Sequence, residues 1–140
     1  MFSSEEQKAR AARTLLRRIG YADQCWTAEG QPTDFLIRLK RKNPGMSDAE
    51  RALCLFTLDL WNGEGGTCCS DMVHRLDKGN LYAFGSLLVA LALGSAHVDV
   101  WIADQEEIQR GELDAVSELV SRRAAQKEEH QKERRRFTLG

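Results

Sequence analysis

Residues 81–98 contain no Asp, Glu, Lys or Arg, and nearly all of them are apolar or small. Such a segment has to be covered by lipid or by the rest of the chain. A membrane-spanning helix needs about 20 consecutive apolar residues, whereas Gly94 and Ser95 interrupt this run before that length is reached. We therefore predict a buried helix over residues 80–94 and no membrane span.

A second apolar helix is predicted over residues 47–62. Ser47 and Glu50 have the spacing of a capping box, and the residues that follow are apolar on most sides of a helix, which is typical of a central helix. Asp59 is the one charged residue in the apolar part of this segment, so we expect it to face an edge of the fold or a partner. The two apolar helices should pack against each other in water.

Shorter amphipathic segments surround these two helices. The spacing of apolar residues predicts a first helix over residues 4–19 that is capped by Ser3, a short helix after Thr33, another after Ser70 and a further one from Ser95. Residues 98–102 also alternate like a strand, but the helix is the preferred prediction.

A last apolar stripe is predicted near the C-terminus. A helix that begins near Glu112 would carry a core-facing stripe that ends at Ala124 and consists of Leu113, Val116, Leu119 and Val120. A chain of 140 residues is long enough to bury one core. We predict an all-α fold, a compact bundle of five to seven helices, with a helical domain at 1–124 and a charged C-terminal helical extension or tail at 125–140.

Charge is strongly segregated along the chain, although the formal net charge is only −1. Residues 1–42 and 121–140 have an excess of Lys and Arg, and residues 43–120 have an excess of Asp and Glu. Basic ends around an acidic middle are compatible with contacts inside the fold or with an external anionic partner. The candidate binding surface consists of Arg10, Arg13, Arg17, Arg38, Lys40, Arg41, Lys42, Arg122, Arg123, Arg134, Arg135 and Arg136.

Cysteine usage favours free thiols. Cys54 lies in an apolar helical run and Cys68 adjoins Cys69, so a disulfide framework is not expected. The acidic, polar N-terminus lacks the pattern of a secretory signal, and we expect a cytoplasmic protein. A thiol- or metal-dependent function of Cys68, Cys69 and His74 is the weakest alternative. Adjacent cysteines point in divergent directions, which argues against a metal site. No metal or cofactor is expected.

Catalytic motifs are not recognisable. His74, His97 and His130 are the only histidines, and none of them belongs to a nucleophile motif. The glycine-rich segment 62–66 lacks the Lys-Ser/Thr ending of a phosphate-binding loop and follows a predicted helix where that motif needs a strand. We expect a non-enzymatic protein-interaction or regulatory module, with nucleic-acid binding through the basic ends as the alternative. Self-association is left open.

The segment from Leu58 to Gly63, followed by Asp71-Met72-Val73 and Arg75-Leu76-Asp77, is similar to an uncharacterised bacterial helical domain family. That family is associated with plasmids and integrated elements, and the similarity covers about residues 48–93. The resemblance implies an accessory protein of a bacterial mobile element that acts on a host protein complex. It implies no enzymatic activity.

Overall fold

The structure, a computed structural model, describes residues 4–138 and the side chains of residues 4–135. Within this range the chain forms seven α-helices and no strand, with one isolated β-bridge between Trp26 and Pro32. The prediction of an all-α fold with five to seven helices is confirmed. Two compact units divide between Glu106 and Glu107. The helices are α1 (Glu5–Arg17), α2 (Ala22–Cys25), α3 (Asp34–Leu39), α4 (Asp48–Asn62), α5 (Cys69–Arg75), α6 (Lys78–Leu93) and α7 (Ser95–Thr138).

The first helix is capped by Ser4, whose Oγ accepts a hydrogen bond from the backbone N–H of Gln7 at 3.2 Å. The predicted cap, Ser3, lies outside the described residues. Leu16 and the other apolar residues of α1 are buried against α2 and α4. The Gln7 side chain donates to the carbonyl oxygen of Ser95 at 2.9 Å, which ties α1 to the start of α7.

The central helix is α4, as the sequence predicts. Its capping box is complete, because Ser47 Oγ accepts from the Glu50 N–H at 3.1 Å while Glu50 Oε1 accepts from the Ser47 N–H at 3.1 Å. Residues 53–58 are buried. The rings of Phe56 and Phe84 pack edge to face with their centroids 4.7 Å apart, so α4 and α6 contact each other in the core.

Trp26 anchors the connection between α1 and α3. Its side chain is buried, its Nε1 donates to Thr57 Oγ1 at 3.1 Å, and its ring centroid lies 5.3 Å from that of Trp61. Thr57 in turn donates its hydroxyl to the carbonyl oxygen of Cys54 at 2.6 Å. These bonds satisfy the buried polar atoms of the indole and the hydroxyl and fix the connection on α4.

The caps of α5 and α6 differ from each other. Cys68 occupies the N-cap of α5 and no side chain caps that helix, so the predicted cap at Ser70 is wrong; the helix begins earlier, with Ser70 inside its first turn. Asp77 caps α6, since its Oδ1 accepts from the Asn80 N–H at 2.8 Å. Gly94 has a φ of 118° and ends α6, at the interruption that the sequence predicts.

The prediction of a buried helix over residues 80–94 is wrong for one side of α6. Ala83, Phe84, Leu87 and Ala90 are buried, whereas the opposite side is exposed. The helix is apolar almost all round, and the contacts with α4 and α7 cover only one side of it. Across the described residues no helix combines the length and apolar content needed to cross a membrane.

The predicted separate helix from Glu112, with its core-facing stripe, is also wrong. One continuous helix, α7, runs through Gly111. The four apolar residues of the predicted stripe are 55–69% exposed. The first compact unit ends at Glu106, and the domain boundary at residue 124 stays a prediction. Helical spacing identifies the apolar side of a helix, but a stripe that meets the core and one that meets another chain have the same spacing. The stripe consists of Leu113, Val116, Leu119 and Val120.

Candidate interaction surfaces

Three strongly exposed apolar side chains of the first unit lie on α6. Tyr82 is 73% exposed, Val89 60% and Leu93 61%, and they recur at the spacing of one helix side. We call these residues, together with Leu88 and Ala92, the apolar face. Residues 81–93 carry no charged group. The face is therefore an apolar patch that is poorly solvated by water.

Contacts on the buried side of α6 fix the position of the apolar face. Trp101 of α7 donates its indole N–H to Ser86 Oγ at 2.9 Å, and Ser86 donates to the carbonyl oxygen of Ala83 at 3.1 Å. Leu87 is fully buried. At Gly85, in the middle of the exposed side, a Cβ would meet no atom within 4 Å. The face is thus a fixed surface with an open position at its centre.

A second surface is the basic corner at the end of α3, formed by Arg38, Lys40, Arg41 and Lys42. All four are exposed. The guanidinium of Arg51 donates to the carbonyl oxygen of Leu39 at 2.9 and 3.0 Å and to that of Lys40 at 3.1 Å. Since these carbonyls are the unpaired acceptors at a helix C-terminus, Arg51 fixes the corner on α4.

The basic corner is flanked by two shallow grooves. One, of about 530 Å³, is lined by Ile37, Arg38 and Leu58 among others, and the second, of about 460 Å³, by Phe35, Arg41 and Lys42 among others. Lys40 donates to the carbonyl oxygen of Glu64 at 2.7 Å. Within the described part of the chain no carboxylate forms an ion pair with Arg38, Arg41 or Lys42.

The basic residues of α1 interact with the chain itself. Arg13 donates to the carbonyl oxygen of Trp26 at 2.7 Å and to Asp23 at 2.6 Å, and its side chain is largely buried. Arg10 lies 3.8 Å from Asp99, and Arg17 lies 3.8 Å from Glu106. Arg13 therefore stabilises the fold through contacts inside the chain. The ion pairs of Arg10 and Arg17 are exposed and contribute about 1 kcal/mol or less, so a binding role for these two residues stays a prediction.

The basic residues of the C-terminal segment all belong to α7. Arg122 pairs with Glu118 one turn earlier at 3.0 Å, a surface pair worth a few tenths of a kcal/mol. Arg123, Arg134 and Arg135 are exposed. The side chain of Arg136 lies outside the described residues.

The four cysteines fall into two pairs. Cys25 and Cys54 are buried, and the hydrogen bond with Cys25 together with burial raises the pKa of the Cys54 thiol above its usual range. Cys68 and Cys69 are exposed free thiols. Among the residues that the structure describes, no three His, Cys, Asp or Glu side chains are grouped so that they could hold a metal ion.

Asp59 has a role that the sequence indicates only in part. Its carboxylate accepts hydrogen bonds from the backbone N–H groups of Gly65 at 2.7 Å, Gly66 at 3.1 Å and Thr67 at 2.8 Å, and from the Thr67 hydroxyl. Partial burial raises the pKa of Asp59, but the hydrogen bonds outweigh it, so that the pKa lies below its ordinary value. A charged residue in an apolar helix indicates a specific contact, and here the carboxylate binds the chain's own loop.

Comparison of the chain with protein-family models, curated proteins and solved structures gives no match. The resemblance over residues 48–93 therefore stays a prediction, and the functional argument depends on the surfaces described above.

Proposed function

We propose that this chain is a non-enzymatic protein-interaction or regulatory module that binds its partner through the apolar face of α6. The observation that carries the proposal is the exposure of Tyr82, Val89 and Leu93 on one side of a charge-free helix. An apolar patch on a fixed scaffold is typical of a protein–protein contact, because burying it removes apolar surface from water.

The chemistry of the face indicates the kind of partner. It offers no cation for a phosphate backbone, so its complement is another apolar surface. The open position at Gly85 and the small side chain of Ala92 lie between larger residues, which suits the close approach of an amphipathic helix. The resemblance over residues 48–93 implies that this partner is a subunit of a bacterial host complex.

Substitution on the face tests the proposal. The tagged full-length chain is cross-linked in the cells that produce it, and the captured proteins are quantified for the wild type, Val89→Glu and the control Ala103→Glu. Ala103 is an exposed helical residue on α7, so both variants add the same charge to an exposed helix position. We expect at least one protein to be captured by the wild type and the control and lost with Val89→Glu. Equal capture by all three chains contradicts the proposal.

Nucleic-acid binding through the basic corner is a second candidate. It is favoured by one observation, the exposure of Arg38, Arg41 and Lys42 without carboxylate partners among the described residues. Lysine and arginine that neutralise phosphates release counterions, so the affinity for an RNA or DNA oligonucleotide should fall steeply with salt.

Neutral substitution tests this candidate. The triple variant Arg38→Gln, Arg41→Gln and Lys42→Gln should bind a fluorescent oligonucleotide weakly and with a smaller salt slope. The control is the double variant Lys78→Gln and Arg110→Gln, two exposed basic residues outside the candidate binding surface, which should bind like the wild type. Unchanged binding by the triple variant excludes the basic corner as the contact.

A further inference from the structure

The C-terminal part of α7 has an apolar side that nothing in the second unit covers. From residue 110 to residue 135 every position is exposed in the structure. Leu113, Val116 and Val120 recur at spacings of three and four residues, and Leu119 flanks them. This spacing places them on one side of the helix, at the positions that form the seam of a two-stranded coiled coil. We call the four residues the apolar strip.

The C-terminal part of α7 divides into two charged halves of opposite sign, and the strip lies in the first of them. Residues 107–120 carry an excess of acidic side chains, and residues 121–136 carry an excess of basic ones. The same polarity holds on the side of the strip: Glu112 precedes Val116 by four residues, whereas Arg123 follows it by seven. On that side of the helix an acidic residue therefore comes before the strip and a basic residue comes after it.

We propose that two copies of this chain associate through α7 in antiparallel orientation, with the apolar strips in contact. In a parallel pair Glu112 would face Glu112 and Arg123 would face Arg123, which is repulsive. An antiparallel pair centred on the strip brings Glu112 of one copy to within about two residues of Arg123 of the second copy, so that unlike charges meet on both sides.

Pairing is favoured because the apolar strip of an unpaired helix stays in contact with water. An isolated helix in water is marginally stable, since it gains no burial from its apolar side. Residues 107–138 form about 48 Å of helix at 1.5 Å per residue, and a second copy would cover the strip along its whole length. This inference concerns a surface and a partner other than those of the proposed function.

Sedimentation of the full-length chain over a range of concentrations tests the pairing. We expect a dimer for the wild type, a monomer for Val116→Glu, and a dimer for the control Ala125→Glu. Ala125 is exposed and nine residues from Val116, which places it on the opposite side of α7. Circular dichroism of each variant establishes that the compact unit is folded. A wild type that is monomeric at all concentrations, or a dimer that Val116→Glu leaves intact, overturns the inference.

Charge exchange tests the orientation. In the antiparallel pair, Glu112→Arg creates repulsion with Arg123 of the second copy and should weaken the dimer roughly tenfold. Adding Arg123→Glu to the same chain restores unlike pairs and should restore the dimer. In a parallel pair neither change alters the sign of the contacts, so equal dimer affinity of all three chains overturns the antiparallel arrangement. A dimer that Val89→Glu dissociates instead assigns self-association to the apolar face of α6 and also overturns the inference.

Discussion

Replacing Gly65 by alanine should strongly destabilise the first unit, because the loop after α4 lies directly on that helix. A Cβ at position 65 would be 2.0 Å from the carbonyl oxygen of Leu55 and 2.9 Å from the backbone nitrogen of Asp59. Both atoms belong to the backbone of α4, whose residues 53–58 are buried. Because this part of α4 is packed in the core, the helix cannot shift to make room for the Cβ. The loop therefore has to move outward.

The size of the effect follows from the bonds that the moved loop loses. Three backbone N–H groups, those of Gly65, Gly66 and Thr67, donate to the carboxylate of Asp59. A hydrogen bond to a charged group contributes about 1.5–3 kcal/mol, but Asp59 is only partly buried and water replaces part of each bond, so we take about 1 kcal/mol for each. The smaller conformational entropy of unfolded alanine offsets about 0.4–1 kcal/mol. The expected loss is roughly 2–3 kcal/mol.

Urea unfolding followed by tryptophan fluorescence measures this loss. Trp26, Trp61 and Trp101 are the only tryptophans and all lie in the first unit, so their signal is independent of the C-terminal part of α7. The control is Gly85→Ala, where a Cβ meets no atom within 4 Å and the better helix propensity of alanine should stabilise by up to about 1 kcal/mol. A free energy of unfolding for Gly65→Ala within about 0.5 kcal/mol of the wild type would refute the described contact between loop and helix.

Three further predictions concern the pH dependence of stability, the cysteines and the buried tryptophan. The hydrogen bonds keep the pKa of Asp59 lower in the folded chain than in the unfolded chain, so its stabilising effect is present above the unfolded pKa of about 3.9 and is lost as the pH falls through the folded pKa. The stability difference between wild type and Asp59→Asn should accordingly shrink in urea titrations below about pH 4, and a difference that is constant with pH contradicts this. A maleimide should label Cys68 and Cys69 of the folded chain, and Cys25 and Cys54 only in urea, as counted by intact mass; labelling of the buried pair without denaturant would show that the core is open. Thr57→Val should cost roughly 1–3 kcal/mol, because the buried indole N–H of Trp26 loses its acceptor. The double variant Thr57→Val with Trp26→Phe should lose less unfolding free energy than the sum of the two single variants. Losses that add exactly would argue against the hydrogen bond between Trp26 and Thr57.

Local signals in the sequence predict the helices well. The capping box of Ser47 and Glu50, and the break at Gly94, involve neighbouring residues whose spacing fixes the backbone hydrogen bonds. The contact of α4 with α6 could be predicted because both helices are strongly apolar and meet in the core through Phe56 and Phe84.

What covers each helix could not be predicted, since coverage depends on contacts between distant residues. The stripe with Val116 has the spacing of a core helix, and α6 is apolar enough to be fully buried, yet both leave apolar side chains exposed. In the same way Arg13 and Arg38 are equivalent as charges in the sequence. The structure places Arg13 on the carbonyl oxygen of Trp26 and leaves Arg38 exposed, a difference that only the fold determines.

The central claim, that the apolar face of α6 is a binding surface, is tested most directly by site-specific photo-cross-linking inside the cells that produce the chain. A photoreactive residue replaces Val89 in one chain and Ala103 in another, and the adducts are separated by mass. The predicted result is one discrete adduct with a second protein at position 89 and none at position 103. No adduct at position 89, or the same adducts at both positions, would contradict the claim.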